Sequence, residues 1–186
     1  MQAKELIERL EGSPVIAAVH GQNIQEALES PAEVIFALNA HILSVGECVR
    51  NAHEKGKPVL VHVDLAEGIS RDRAGLAYLK SCGVDGILTT HGSTVRMAKE
   101  MGLITVQRFF ALDSQGVNGI GEAIEFAQPD LIEIMPGTVS KVIKKFASRG
   151  IPVIAGGLIE TKQEATDALS AGAIAVSTGS SRLWYL

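Results

Sequence analysis

Short apolar runs rich in β-branched residues recur along the chain at 15–20, 34–39, 59–64, 86–89, 103–108, 131–135, 152–155 and 174–177. Between them, 45–55, 71–81, 94–101, 121–127, 139–148 and 162–170 carry helical periodicity. Strand alternating with helix implies parallel strands, because a parallel neighbour is reached only through a crossover long enough to hold a helix. Glycine or proline marks the return into the next strand at Lys57-Pro58, Cys82-Gly83, Met101-Gly102, Gln128-Pro129, Gly150-Ile151-Pro152 and Ala171-Gly172, as helix ends and strand entries require. Eight units in 186 residues give a period of about 23, short but sufficient for a compact (β/α)8 TIM-like barrel stripped of insertions. This single barrel domain is expected to span 1–186. An open doubly wound sheet is the alternative, and it normally needs fewer strands and one topological switch point. Because only residues 181–186 follow the last strand, the eighth outer helix is expected to be missing or reduced to a turn.

Composition narrows the class of function. With 46% hydrophobic, 20% charged and 4% aromatic residues, the chain can bury a sizeable core and is neither disordered nor collagen-like. A net charge of −4 supplies no global attraction to nucleic acid or to an anionic membrane, so such a partner needs a local basic patch. Cys48 and Cys82 fall in helix-like segments without paired spacing, which favours buried thiols over a disulfide or metal site. The first ten residues lack the apolar core of a signal peptide, and no run approaches a membrane span. A cytoplasmic protein with no membrane partner is expected.

Side chains alternate along a strand, so Leu60, His62 and Asp64 share one face, Thr105 and Gln107 another, and Leu131, Glu133 and Met135 a third. On this phase Asp64, Gln107 and Glu133 converge at the C-terminal mouth, with Glu67 nearby in the third loop. Buried carboxylates need partners, which a polyol ligand or a structural network would provide. The turns after the last two strands hold Gly156, Gly157, Thr178, Gly179 and Ser180. In barrels that bind phosphorylated ligands, these two loops and a following helix N-terminus donate N–H groups to the phosphate. Tight turns alone would also account for the glycines.

His62 and Asp64 form an H-x-D pair, with His20, His41 and His91 near other strand ends. Nothing completes a coordination sphere, and neither a metal nor a cofactor is expected. No strand ends in lysine, and no nucleophile elbow appears, so no catalytic residue is assigned, although Asp64 and Glu133 leave acid–base chemistry open. Lys141, Lys144, Lys145 and Arg149 form a helical basic stripe, which fits RNA phosphate or an ordinary solvated helix face.

Read in order, HVDLAEGISRDRAGLAYL (62–79), TVQRFFALDS (105–114), PDLIEIMPG (129–137), PVIAGGLIET (152–161) and ALSAGAIAVST (168–178), followed by Leu183-Trp184, resemble the glycerol uptake operon antiterminator family over nearly the whole chain. The resemblance implies a regulator responsive to glycerol 3-phosphate that binds leader mRNA to let transcription pass a terminator. It places the phosphate at Gly156, Gly157 and 178–180, and the glycerol moiety at Asp64, Gln107 and Glu133. His91-Gly92 and Thr178-Gly179 stand where the resemblance leads one to expect Arg-Ser and Thr-Ser. The alternative is a barrel enzyme acting on a small phosphorylated substrate, as a phosphodiesterase, aldolase or isomerase. Finally, the missing helix should leave the outer faces of the first and last strands uncovered. The expected cover is the N-terminal helix with Leu6, Ile7 and Leu10, the terminal 183–186 segment, and a homodimer contact.

Overall fold

The computed structural model describes residues 1–21 and 24–186. Eight parallel strands close into a barrel in chain order: β1 (Val15–Val19), β2 (Val34–Ala37), β3 (Val59–His62), β4 (Gly86–Thr89), β5 (Ile104–Phe110), β6 (Leu131–Met135), β7 (Val153–Gly156) and β8 (Ala175–Thr178). The ring closes where Val15, Ile16 and Ala17 pair with Val176, Ser177 and Thr178. The helices are α1 (Ala3–Gly12), α2 (Ile24–Glu29), α3 (Val45–Glu54), α4 (Arg73–Ser81), α5 (Gly92–Glu100), α6 (Ser114–Ala127), α7 (Ser140–Ala147) and α8 (Lys162–Ser170). This is the expected (β/α)8 barrel, not the open sheet. Among the described residues, no helix is long and apolar enough to cross a membrane, and Cys48 and Cys82 are free and half-buried.

Two helices depart from the sequence reading. α2 is not among the segments with visible helical periodicity, because its short length holds too few apolar residues to show a period. Its end is secured from afar, where buried Lys57 donates through Nζ to the carbonyls of Ala27 and Ser30 at 2.7 and 2.5 Å. α6 begins seven residues before position 121, at Ser114, despite Gly116 and Gly119. Asp113 caps it by accepting from the Gly116 amide at 2.7 Å, and such a cap outweighs the glycine penalty.

Two apolar cores are separated by the sheet. The inner one joins Ile16, Phe36, Leu60, Leu88, Val106 and Ile154 with Leu6 and Leu10. α1 therefore closes the barrel's N-terminal end from below, with both leucines fully buried, and does not cover the outer faces of β1 and β8 as expected. An eight-stranded barrel has an interior that side chains must fill, and that space takes an amphipathic stripe as readily as an outer face does. The outer core holds Val15, Ala17, Val19 and Val176 together with Leu183 and Trp184. Directly after β8 the chain forms a 3-10 turn, Ser181–Tyr185, whose Trp184 donates through Nε1 to the Thr178 carbonyl at 2.8 Å. Trp184 and Leu183 are 1% and 5% exposed, so deleting 183–186 should lower unfolding free energy by about 3–6 kcal/mol, from roughly 1.5–3 kcal/mol per large apolar side chain. Urea denaturation checks this, and an unchanged midpoint and slope would show a dispensable tail.

Candidate functional site

Glu133 on β6 is fully buried in the barrel. In the β5–β6 register it lies opposite Arg108, which donates from Nε to Glu133 Oε2 at 2.5 Å. From β8, Ser177 donates its hydroxyl to Oε1, also at 2.5 Å. Gly156 on β7 leaves the room this needs: a Cβ there would lie 2.3 Å from Glu133 Oε1 and 2.7 Å from Ser177 Oγ. Four consecutive strands thus build one network. It borders a cavity of about 600 Å³ at the C-terminal mouth, whose wall also includes His20, Met135, Gly157 and Arg182.

Of the residues expected to hold a polyol, Glu133 lines this cavity and the others do not. Gln107 is the clearest correction. It pairs with Ile132, a member of the outer core, and so points away from the barrel interior, with its Oε1 unpartnered among the described residues. In LITVQR both strand phases carry a polar group, and the Glu133 pairing gives the interior to Arg108. Glu67 is exposed in the loop after β3, tied through its backbone to Ala40 and Ile42.

Asp64 sits apart, because β3 ends at His62 and a 3-10 turn, Val63–Leu65, breaks the strand alternation. Its Oδ1 accepts from the Thr89 hydroxyl at 2.6 Å, and its Oδ2 from the amide and hydroxyl of Thr90, both at 2.8 Å. Burial opposes its ionisation, but the His62 ring and these Thr89 and Thr90 groups outweigh burial and hold the carboxyl well below the usual carboxylate range. His62 is 5% exposed, and neither ring nitrogen has a partner among the described residues. Its Nε2 lies 3.7 Å from Asp64 Oδ2. Above them Arg71 approaches the His91 ring, with Nη1 at 2.8 and 3.1 Å from its two nitrogens, so an arginine reaches the place where the sequence itself has histidine. Among the described residues no group of three or more His, Cys, Asp or Glu could hold a metal.

Of the five phosphate candidates, Gly157, Thr178, Gly179 and Ser180 line the cavity, while Gly156 lies behind the Glu133 carboxylate. Gly157 has φ +71° and Leu158 φ +57°, a turn in which a non-glycine residue holds a left-handed conformation, as at strained functional loops. Thr178 braces the two loops, donating its hydroxyl to the Ile159 carbonyl at 2.6 Å and accepting from the Ser180 amide at 3.0 Å. The N-terminus of α8 does not face an open anion site as expected, since Thr161 and Glu164 close it in a capping box. Lys141, Lys144 and Lys145 of the expected stripe lie on α7, which ends at Ala147, so Arg149 falls in the turn beyond it and the helical stripe is shorter than expected; Lys141, Lys144 and Arg149 are exposed and Lys145 half-buried. The sequence reading missed Arg108, Ser177 and Arg182. Parity could have revealed the first two, since Arg108 and Ser177 share a phase with the interior residues of their strands.

The chain is thus a closed parallel (β/α)8 barrel with a buried Arg–Glu–Ser network beneath an open polar cavity at its C-terminal mouth, the face where barrels of this architecture carry their sites. Residues 15–184 match the model of the glycerol-3-phosphate responsive antiterminators, and the chain belongs to that family. It is similar to the glycerol uptake operon antiterminator regulatory protein from Listeria monocytogenes, at 35% identity and TM-score 0.86 over 92% of this chain and 95% of that one. A glycerol uptake operon antiterminator-related protein from Thermotoga maritima is 36% identical with TM-score 0.83, over 91% of this chain and 96% of that one. The uncharacterized protein YgcP of Escherichia coli K12 is 34% identical across 97% of this chain and 96% of its own length.

Two outcomes follow from this geometry. Glu133→Gln leaves the Arg108 charge buried without a counter-ion and should destabilise the fold by about 3–5 kcal/mol, whereas Arg108→Met combined with Glu133→Gln should recover most of that loss. Urea melts of the single and double variants test it, and equal losses in both would refute the coupling. For Asp64, whose carboxyl titrates lower folded than unfolded, the stabilisation is present above its unfolded value of about 3.9 and lost as the pH falls below it. Wild type should therefore melt above Asp64→Asn at pH 7 and lose that advantage towards pH 2. A gap independent of pH would contradict it.

Proposed function

We propose that this protein is a glycerol-3-phosphate-responsive transcription antiterminator that binds leader RNA of glycerol uptake and metabolism genes in the cytoplasm. The observation that carries the ligand half is the buried Arg108–Glu133–Ser177 network bordering a cavity whose rim is made by the loops after β7 and β8. Loops at these two positions suit a phosphate, and the Glu133 carboxylate suits hydroxyl donors of a glycerol moiety. Membership in the antiterminator family supports the regulatory half. Lys141, Lys144 and Lys145 on α7, with Arg149 in the turn after it, are the proposed RNA contact. Residues 1–186 act as a single domain, and Tyr185 and Leu186, exposed beside the buried Trp184, are assigned to a homodimer contact. No cofactor takes part in this reading.

His62 gives the second reading its footing. A buried imidazole with both nitrogens unpartnered among the described residues beside an ionised carboxylate suits proton transfer, and so an enzyme acting on a phosphorylated three-carbon compound. Reciprocity separates the two. A regulator binds structured leader RNA more tightly with glycerol 3-phosphate present and returns the ligand unchanged, which electrophoretic shift assays and NMR of the recovered ligand would show. Converting Lys141, Lys144 and Lys145 to Gln should weaken RNA binding and reduce its log–log salt slope by about 2–3 units if all three touch phosphate. A wild-type slope in that variant moves the RNA site elsewhere, and ligand turnover favours the enzyme.

A further inference from the structure

The geometry points to Arg182 as the side chain that recognises the charge of a phosphomonoester in the mouth cavity, so that the C-terminal turn is part of the binding site as well as the barrel's closure. This inference rests on reading the cavity as a glycerol 3-phosphate site. Two arginines line the cavity, Arg108 and Arg182, and two carboxylates, Glu133 and Glu160. Arg108 is 8% exposed and directed at Glu133, so its charge is already matched inside the wall. Arg182 is exposed, and no carboxylate lies within 4.0 Å of it among the described ion pairs. Its charge is available to an incoming anion, and it shares the cavity wall with Gly157, Gly179 and Ser180.

What holds Arg182 there is the turn that follows β8. A long helix at this point would carry the chain away over the outside of the barrel. Here the 3-10 turn Ser181–Tyr185 starts one residue past Ser180, and Trp184 anchors it through its indole N–H to Thr178 and its near-complete burial in the outer core. Two residues before that anchor, Arg182 is held at the rim with little conformational freedom left to its backbone. Without it, a phosphate dianion entering the cavity would meet Glu160 with no unmatched arginine to offset the repulsion. Hydrogen bonds from a cationic side chain to phosphate are charge-assisted, whereas a backbone-amide cradle alone does not distinguish charge as strongly.

Calorimetric titration of the full chain with glycerol 3-phosphate and with inorganic phosphate tests the inference. The emission of Trp184, the single tryptophan, reports occupancy beside the turn. Arg182→Gln should weaken both ligands about 10- to 100-fold, the range for hydrogen bonds to a charged group, and flatten the dependence of affinity on salt. Arg182→Lys should regain most of the loss, and both variants should melt with wild type because the side chain is exposed. Unchanged affinity in Arg182→Gln, or a lysine variant as weak as the glutamine one, overturns the assignment while leaving the cavity reading intact. Wild-type protein that binds neither ligand overturns both.

Discussion

A carboxylate with no exposed surface survives only if its environment replaces the water it lost, and Glu133 is such a group. The Arg108 guanidinium and the Ser177 hydroxyl replace that water on one oxygen each. Gly156 is fixed by the same requirement, since even a methyl group there would overlap the carboxylate. Four neighbouring strands are thus constrained by one ionised group, and their register has to be right for all of its contacts to form together. An apolar layer of the same volume would serve stability at least as well. Above the polar layer lies the mouth cavity, with Arg108, Glu133 and Ser177 in its wall. That the network lies on β5 to β8, the half whose loops suit an anion, fits a role in binding better than one in folding alone.

The barrel was legible because its signal is global: eight apolar runs, six of them with a glycine or proline marking the entry, agree with one another even where one boundary is off. The site was less legible because it depends on strand phase, which is local. In LIEIM only one phase is polar, and the reading placed Glu133 correctly inside. In LITVQR, Thr105 and Gln107 compete with Arg108, and the choice is made by a partner on the next strand that no single-strand pattern contains. Thr105 has its own outward reason, since its hydroxyl and amide bond Asp130 at 2.8 and 2.9 Å. Asp64 was misplaced for a different cause: His62 ends the strand, and the 3-10 turn removes the alternation on which the phase depends. The N-terminal helix shows the same limit, because Leu6 and Leu10 announce a buried face without saying which of two cores receives it.

Hydrogen-bond accounting separates the two carboxylates that the sequence set side by side. An ionised carboxylate offers about four acceptor sites. Asp64 has three filled by Thr89 and Thr90, with His91 Nδ1 at 3.4 Å from Oδ1, so it holds β3 and β4 together at the mouth and has little left for a ligand. Glu133 has two filled and faces a cavity. The unsatisfied member of the Asp64 side is instead His62, whose ring nitrogens have no hydrogen-bond partner among the described residues. An acidic residue at a strand end is therefore a poor guide to ligand contact until its donors are counted; the same count exposes the histidine beside it as the group with unused hydrogen-bonding capacity. It also separates the two halves of the mouth: the Asp64 carboxylate on the β3–β4 half is tied to its own strands, and the β5–β8 half borders the cavity.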